Sequence, residues 1–329
     1  SLGFRGKCVE AVPHVRDEIV HRYERAAAVN KSEISVIEIG GTVGDYQNIM
    51  FIEAARVLKI RHPEDVIFVM VSYLPIPAKI GEMKSRPTQN AVHQLASYGV
   101  NTDILIARAE QPVDKKRKEK IAIACNMPVE HVISAPDIDS VYDVPLNFER
   151  DNLGEIILSA LHLKPKNNAL ANRGLADWKK FAETVKRLRS PESSGKSHEV
   201  HIAIVGKYFN TGDFVLTDAY VSVLEAIKYS AYALGKRPVI HTVNAQDFEA
   251  PTKPNYKALD KYDGILVPGG FGESGIEGKL NVIRYAREKG IPYFGLCYGM
   301  QLMVIEYARN VLGFTQATTS EIDPQAEHR

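Results

Sequence analysis

The chain has 329 residues, too many for one typical domain and enough for two that each bury a core. Its 41 Lys and Arg against 40 Asp and Glu give a formal charge of +1, which leaves no electrostatic case for a nucleic-acid or anionic-membrane partner. The three cysteines, Cys8, Cys125 and Cys297, are far apart, form no disulfide framework and lack metal-ligand spacing, so a cytoplasmic location is expected.

In chain order, short β-branched runs alternate with longer amphipathic stretches. The spacing predicts a strand at 34–39, a helix over 48–60, a strand at 66–72, a helix over 88–99, and strands at 103–107 and 131–134. The apolar run "VIFVMVSYLPIP" is too short to cross a bilayer and contains prolines. A break follows, with one helix around 178–188 and then "SPESSGKSHE", which reads as a flexible polar linker. Beyond it come strands at 200–205, 239–243, 264–268 and 292–296, with helices over 218–234 and 300–309. Continuous apolar strands imply burial on both faces, hence parallel sheets flanked by helices. The expected organisation is α/β, with domains at 1–163 and 199–329 and a connection over 164–198. No signal-peptide pattern is visible. The start at Ser1 without a methionine and the polar end "EIDPQAEHR" together read as a fragment of something longer.

The most conspicuous motif is "GLCYG", which follows a predicted strand and precedes a predicted helix. Small flanking residues suit a sharp strand-to-helix turn that exposes a nucleophile, here Cys297. A helix N-terminus favours thiolate over thiol. The plainer alternative is a small apolar cysteine packed in a core. Upstream, "VPGGFGESGIEGK" places a glycine-rich turn after another predicted strand, where backbone amides could face a developing oxyanion. It reads equally as an ordinary surface loop.

Two further stretches lie in the first half. "VIEIGGTVGDYQN" is a strand, a glycine-punctuated turn with Glu38 and Asp45, and a helix; a carboxylate at a strand end can serve Mg²⁺ near nucleotide phosphates. "GEMKSRPTQNAV" sets Lys84, Arg86, Thr88 and Gln89 around a proline at a helix start, a combination suited to a polyphosphate. Asp45 also reads as a helix cap, and Lys84 and Arg86 as a solvated face.

"LVPGGFG" with "GLCYGMQ" resembles the triad-type, class I glutamine amidotransferase domain. Together with "EIGGTVGD", "KSRPTQ", "VGKY", "DAY", "PHVRDEI" and "CNMPVEHVIS", in this order and over nearly the whole chain, the motifs resemble the CTP synthase family. The resemblance implies a P-loop, dethiobiotin-synthetase-like amidoligase domain and a flavodoxin-like glutaminase domain, both incomplete here. It implies a ligase that aminates UTP to CTP with ATP and with ammonia from glutamine, for pyrimidine nucleotide biosynthesis. Cys297 would be the nucleophile. Gly270 and Tyr298 would supply oxyanion-hole amides, Tyr298, Gly299, Met300 and Gln301 would line the glutamine pocket, and Glu321 would hold the substrate's α-ammonium. Asp45, Tyr46 and Gln47, with Lys84, Ser85, Arg86, Pro87, Thr88, Gln89 and Lys120, would bind UTP or inhibitory CTP. Ile138 would contact ATP, and Glu38 would ligate Mg²⁺. GTP would be an allosteric activator, and the assembly a homotetramer that can extend into filaments.

The sequence also departs from the family. It contains no G-x-x-x-x-G-K-[ST]. After Cys297 its only histidine is His328, read as a surface residue, so the chain alone is expected to complete neither half-reaction. Gln47 stands where the family often has Glu, and Ser274 where it often has Arg, which loosens the expected CTP inhibition and GTP activation. Two rival readings remain open: an amidoligase with another acceptor, and a non-catalytic assembly paralogue.

Overall fold

A computed structural model describes residues 8–165, 169–190, 198–206, 210–211, 214–215, 220–249, 254–270 and 275–328. Contacts divide the chain into two compact units, Ser1–Ala176 and Asp177–Arg329.

The first unit runs α1 (Arg16–Asn30), α2 (Ile49–Arg61), β1 (Val69–Tyr73), α3 (Arg86–Ser97), β2 (Ile104–Ala109), α4 (Lys115–Cys125), β3 (Val132–Pro136), α5 (Val144–Arg150) and α6 (Leu153–Ala160). The strands form a parallel sheet in the order β1-β2-β3, with Val69 opposite Ile104 and Leu105 opposite Val132. On one side Met70, Leu105 and Ala107 pack with Val92 of α3 and Ile121 and Cys125 of α4. On the other, Ile104 and Ile133 meet Phe148 of α5 and Leu153 of α6. Local chemistry marks the helix ends. Pro87 sits in the first turn of α3, where its missing N–H costs nothing. The Asp114 carboxylate accepts the Arg117 N–H at the start of α4, and Asn126 closes that helix in a left-handed conformation.

One expected strand is absent. Residues 34–39 join no sheet, and Val36 is 94% exposed. A β-branched run becomes a strand only where a neighbour supplies hydrogen-bond partners along its length. Here β1 is the sheet edge, with Val69, Val71 and Tyr73 exposed, so β1 alternates instead of being buried on both faces.

Helix α7 (Ala169–Arg189) is about twice as long as the sequence pattern predicts and crosses from one unit into the next. Its later turns bury Ala182, Val185 and Leu188, and the Phe181 ring lies 4.8 Å from that of Tyr229. The second unit continues with β4 (Glu199–Gly206), the short antiparallel pair β5 (Asn210–Thr211) and β6 (Phe214–Val215), then α8 (Val221–Ala233), β7 (Arg237–Asn244), β8 (Gly264–Val267), α9 (Ile276–Lys289), β9 (Tyr293–Gly295) and α10 (Tyr298–Asn310).

The main sheet of this unit is parallel throughout, in the order β7-β4-β8-β9. Counted within the unit that is 2-1-3-4, the flavodoxin-like doubly wound order, which reverses direction between β4 and β8. Ala203, Val205, Ile265 and Val267 pack under α9 and α10, while Ile204 and Leu266 meet Val223, Leu224 and Ile227 of α8. In such sheets ligands bind at the carboxyl ends of the strands. Both glycine-flanked turns noted above leave from those ends. Among the described residues, no helix is long and apolar enough to cross a membrane.

Candidate active site

Cys297 lies between β9 and α10 with φ 51° and ψ −108°, a left-handed conformation that costs a non-glycine residue energy. It is exposed, so the buried-core alternative does not hold. The turn is possible because its flanks have no side chains. A Cβ on Gly295 would come within 2.6 Å of the Gly299 carbonyl, and one on Gly299 within 2.0 Å of the Val267 oxygen. The backbone of α10 thus sits directly on the end of β8. The Leu296 N–H donates to the Val267 carbonyl at 2.9 Å, and the Met300 and Gln301 N–H groups donate to the Cys297 carbonyl at 3.1 and 3.2 Å.

Because Val267 pairs with Gly295, the turn after β8 lies beside the turn after β9. A Cβ on Gly269 would stand 3.4 Å from the Cys297 Cβ and 3.9 Å from its Sγ, which puts Gly270, the next residue, in the same neighbourhood. Tyr298 and Gly299 are buried, Gln301 is half-buried and Met300 is exposed. Glu321 is exposed on a turn in which the Thr319 carbonyl accepts from the Ile322 and Asp323 N–H groups, both at 3.0 Å. Ile322 anchors that turn on the core that holds Tyr298 and Leu302. His328 is not the free surface residue expected: it is half-buried, with its ring 4.6 Å from that of Phe314. Ser274 and the motif residues Lys207, Tyr208 and Asp218 lie outside the described residues.

In the first unit the expected nucleotide residues divide into two groups. Thr88 and Gln89 are buried, and their side chains serve the fold: Thr88 Oγ1 lies 2.9 Å from Ser72 Oγ and donates to the Tyr73 carbonyl at 3.3 Å, and Gln89 donates to Ser85 Oγ at 3.2 Å. Lys84 and Ser85 are half-buried, while Arg86, Pro87 and Lys120 are exposed. Lys84 Nζ lies 2.6 Å from the Glu82 carboxylate. Lys84 holds the Glu82 carboxyl below the usual carboxylate range, and Arg117 and Lys120 add to that effect. Lys84 touches Glu82, and Lys120, distant in sequence, adds its charge to the field at that carboxylate.

Asp45 precedes a short 3₁₀ turn, but its side chain does not cap it as the plainer reading expected; the carboxylate instead accepts the Thr42 N–H upstream at 2.9 Å, and Tyr46 and Gln47 beside it are exposed. Ile138 is 38% exposed, next to Asp137, which pairs with Arg108 at 2.7 Å. Glu38 is exposed on the 34–39 segment, outside any sheet. Among the described residues no three His, Cys, Asp or Glu side chains form a metal-holding group, so Glu38 and its neighbours do not make a Mg²⁺ site by themselves.

Sequence reading missed several residues that shape these sites. Tyr293 donates to the Gly299 carbonyl at 2.8 Å and pins the first turn of α10; burial pushes its phenol well above the usual range. Glu82 and Arg117 belong with Lys84, and the three-residue step from Arg117 to Lys120 on α4 was the available signal. Glu306 is buried on α10 and takes a bidentate contact from Arg287 of α9, the shortest at 2.8 Å. No local pattern foretells that contact.

Comparison with known proteins covers both units. Residues 2–163 match the family described as CTP synthase N-terminus, and residues 215–328 match glutamine amidotransferase class-I. The CTP synthase of Caldanaerobacter subterraneus subsp. tengcongensis is 41% identical over 330 residues, covering 99% of this chain and 57% of that protein. The CTP synthase of Pyrococcus abyssi is 41% identical over 326 residues, covering 99% of this chain and 56% of that one. A solved glutaminase domain of Trypanosoma brucei CTPS with bound acivicin is 42% identical and aligns with a TM-score of 0.35, over 39% of this chain and 48% of that chain. The chain thus spans a little over half the length of the curated relatives it matches. With a nucleophile-type turn in one unit, a cationic cluster in the other, and matches of this extent across both, the chain belongs to the CTP synthase family.

Proposed function

We propose that the protein is a glutamine-hydrolysing CTP synthase, converting ATP, UTP, glutamine and water to ADP, phosphate, CTP and glutamate. The observation that carries this reading is the exposed Cys297, held at φ 51° beside the Gly269 turn. In this reading the Cys297 thiolate attacks the side-chain amide carbon of glutamine. The amides of Gly270 and Tyr298 receive the oxyanion, ammonia leaves, and water releases glutamate from the thioester. Met300 and Gln301 border the substrate, and Glu321 accepts from its α-ammonium. His328, packed on Phe314, receives no catalytic role.

In the first unit, ATP transfers a phosphoryl group to the uracil O4, and ammonia then displaces phosphate. Lys84, Arg86 and Lys120 provide charge for the UTP phosphates, with Ser85, Pro87 and the Asp45–Gln47 turn beside them. Thr88 and Gln89 act on the nucleotide through the fold, and Ile138 borders adenine. The cytoplasmic location is supported by three free cysteines. The homotetramer, filaments and GTP activation rest on family membership alone.

The test uses a protein extended to the full length of its relatives. Cys297→Ala abolishes CTP formation from glutamine while formation from ammonia persists. Loss of both in a folded variant defeats this division of labour. Calorimetric binding of UTP, weakened about tenfold in Lys84→Ala, separates this enzyme from an amidoligase for another acceptor. Absence of both activities and of UTP binding would leave the assembly role.

A further inference from the structure

We infer that Arg309 is a positioning residue for glutamine, acting through the turn that carries Glu321; this rests on the reading above that Glu321 accepts the substrate's α-ammonium. Arg309 lies in the last turn of α10. Its Nε donates to the Ala317 carbonyl at 2.6 Å, and its Nη1 donates to Glu277 Oε1 at 2.9 Å. Glu277 is in the first turn of α9. One guanidinium therefore joins three segments: the start of α9, the end of α10 and the root of the Glu321 loop.

That loop depends on its root. Ala317 is 5% exposed, and its N–H donates to the Phe314 carbonyl at 2.8 Å. The Thr318 N–H donates to the His328 carbonyl at 3.0 Å, closing residues 318–328 into one loop. Within it the Thr319 carbonyl and Thr319 Oγ1 fix the backbone around Glu321, and Ile322 seats it on the core. Arg309 is the side chain that ties this loop's entry to the helix whose first residue follows Cys297. A lysine could not replace it fully, because a point ammonium does not span two acceptors as a planar fork does.

The consequence is specific. Glu321 grips an ammonium that stays the same throughout the reaction, so loosening its turn weakens glutamine binding while leaving the thiol's own reactivity intact. The measurement is protection of Cys297 from iodoacetamide by glutamine, and by glutaramate, which lacks the α-amino group. Arg309→Ala raises the half-protecting glutamine concentration about tenfold, leaves glutaramate protection unchanged, and leaves unprotected alkylation within about twofold. Arg309→Lys falls between, and Glu277→Gln, which keeps the Ala317 contact, changes little. Glu321→Gln reproduces the Arg309→Ala loss, and the double variant loses no more than either single one.

If Arg309→Ala unfolds, Arg309→Lys still decides through the glutamine-to-glutaramate ratio, with Glu277→Gln as the control that leaves the ratio unchanged. A ratio unchanged in every Arg309 variant, while Glu321→Gln lowers it, overturns the inference and leaves the site reading standing. So does equal loss for both ligands, or additivity in the double variant. No protection of the wild type by glutamine overturns both.

Discussion

The turn at Cys297 and the segment around Lys84 are held in different ways. At Cys297, backbone rests on backbone: the Gly299 and Gly295 positions admit no Cβ, and the Val267 carbonyl caps Leu296. Around Lys84, side chains hold the structure: Thr88 ties α3 to β1, and Lys84 pairs with an exposed Glu82. The first arrangement fixes the Cys297 backbone in a costly geometry, which in the proposed reading aims Sγ at a substrate carbon. The second leaves Lys84 in an exchangeable ion pair with Glu82, which in the proposed reading an incoming phosphate would displace.

The contrast breaks most visibly at glycines. Gly299→Ala forces α10 away from β8, and we expect a loss of about 3 kcal/mol or more in urea melts, with slower labelling of Cys297 by a glutamine-like chloroketone. Gly40, where an added Cβ meets nothing within 4 Å, is the control: Gly40→Ala stays within about 0.5 kcal/mol. Equal losses at the two glycines would remove the distinction.

Thr88→Val tests the other region. Removing the hydroxyl leaves the Ser72 Oγ and Tyr73 carbonyl contacts unmade, at a cost of about 1–2 kcal/mol. UTP affinity should follow only through the fold; weaker UTP binding at unchanged stability would place Thr88 on the ligand instead. A smaller and opposite effect belongs to Cys297→Gly, which relieves the left-handed strain and should stabilise the chain by about 1 kcal/mol, while Cys297→Ala does not. A glycine variant no more stable than the alanine one would show that the turn carries no strain.

The smallest expected effect depends on pH and lies far from the nucleophile in sequence. His241 Nε2 is 3.0 Å from His201 Nδ1, with Tyr262, Lys261, Glu199, Arg237 and Asp263 around the two rings. Burial first, then His201 and Lys261, hold His241 below the ordinary imidazole range. The unfolded chain therefore takes up this proton at higher pH than the folded one. The contribution is intact above about pH 6.5 and is lost as pH falls toward the depressed value. His241→Asn should flatten the fall in melting temperature between about pH 7 and pH 5, and a parallel fall in both proteins would count against it.

Most strands and helices around Cys297 could be read locally. Apolar periodicity reflects which face of an element is buried, and the glycines flanking Cys297 reflect contacts within a few residues or with the adjoining strand. The predicted strand at 34–39 failed because strand character also requires a partner at the right height, which no local pattern encodes. The later turns of α7, whose buried face meets Tyr229 of α8, fall within the predicted helix at 178–188, whereas its first turns, 169–177, do not. Arg309 with Glu277, and Lys118 with Asp151, are contacts 32 and 33 residues apart. Short-range geometry follows from the repeat of the backbone itself, so residue order alone establishes the turn, the cysteine placed on it and the alternation of elements. Which cation meets which carboxylate, and which carbonyl a guanidinium reaches, depends on distant segments arriving together, and only the folded chain decides it.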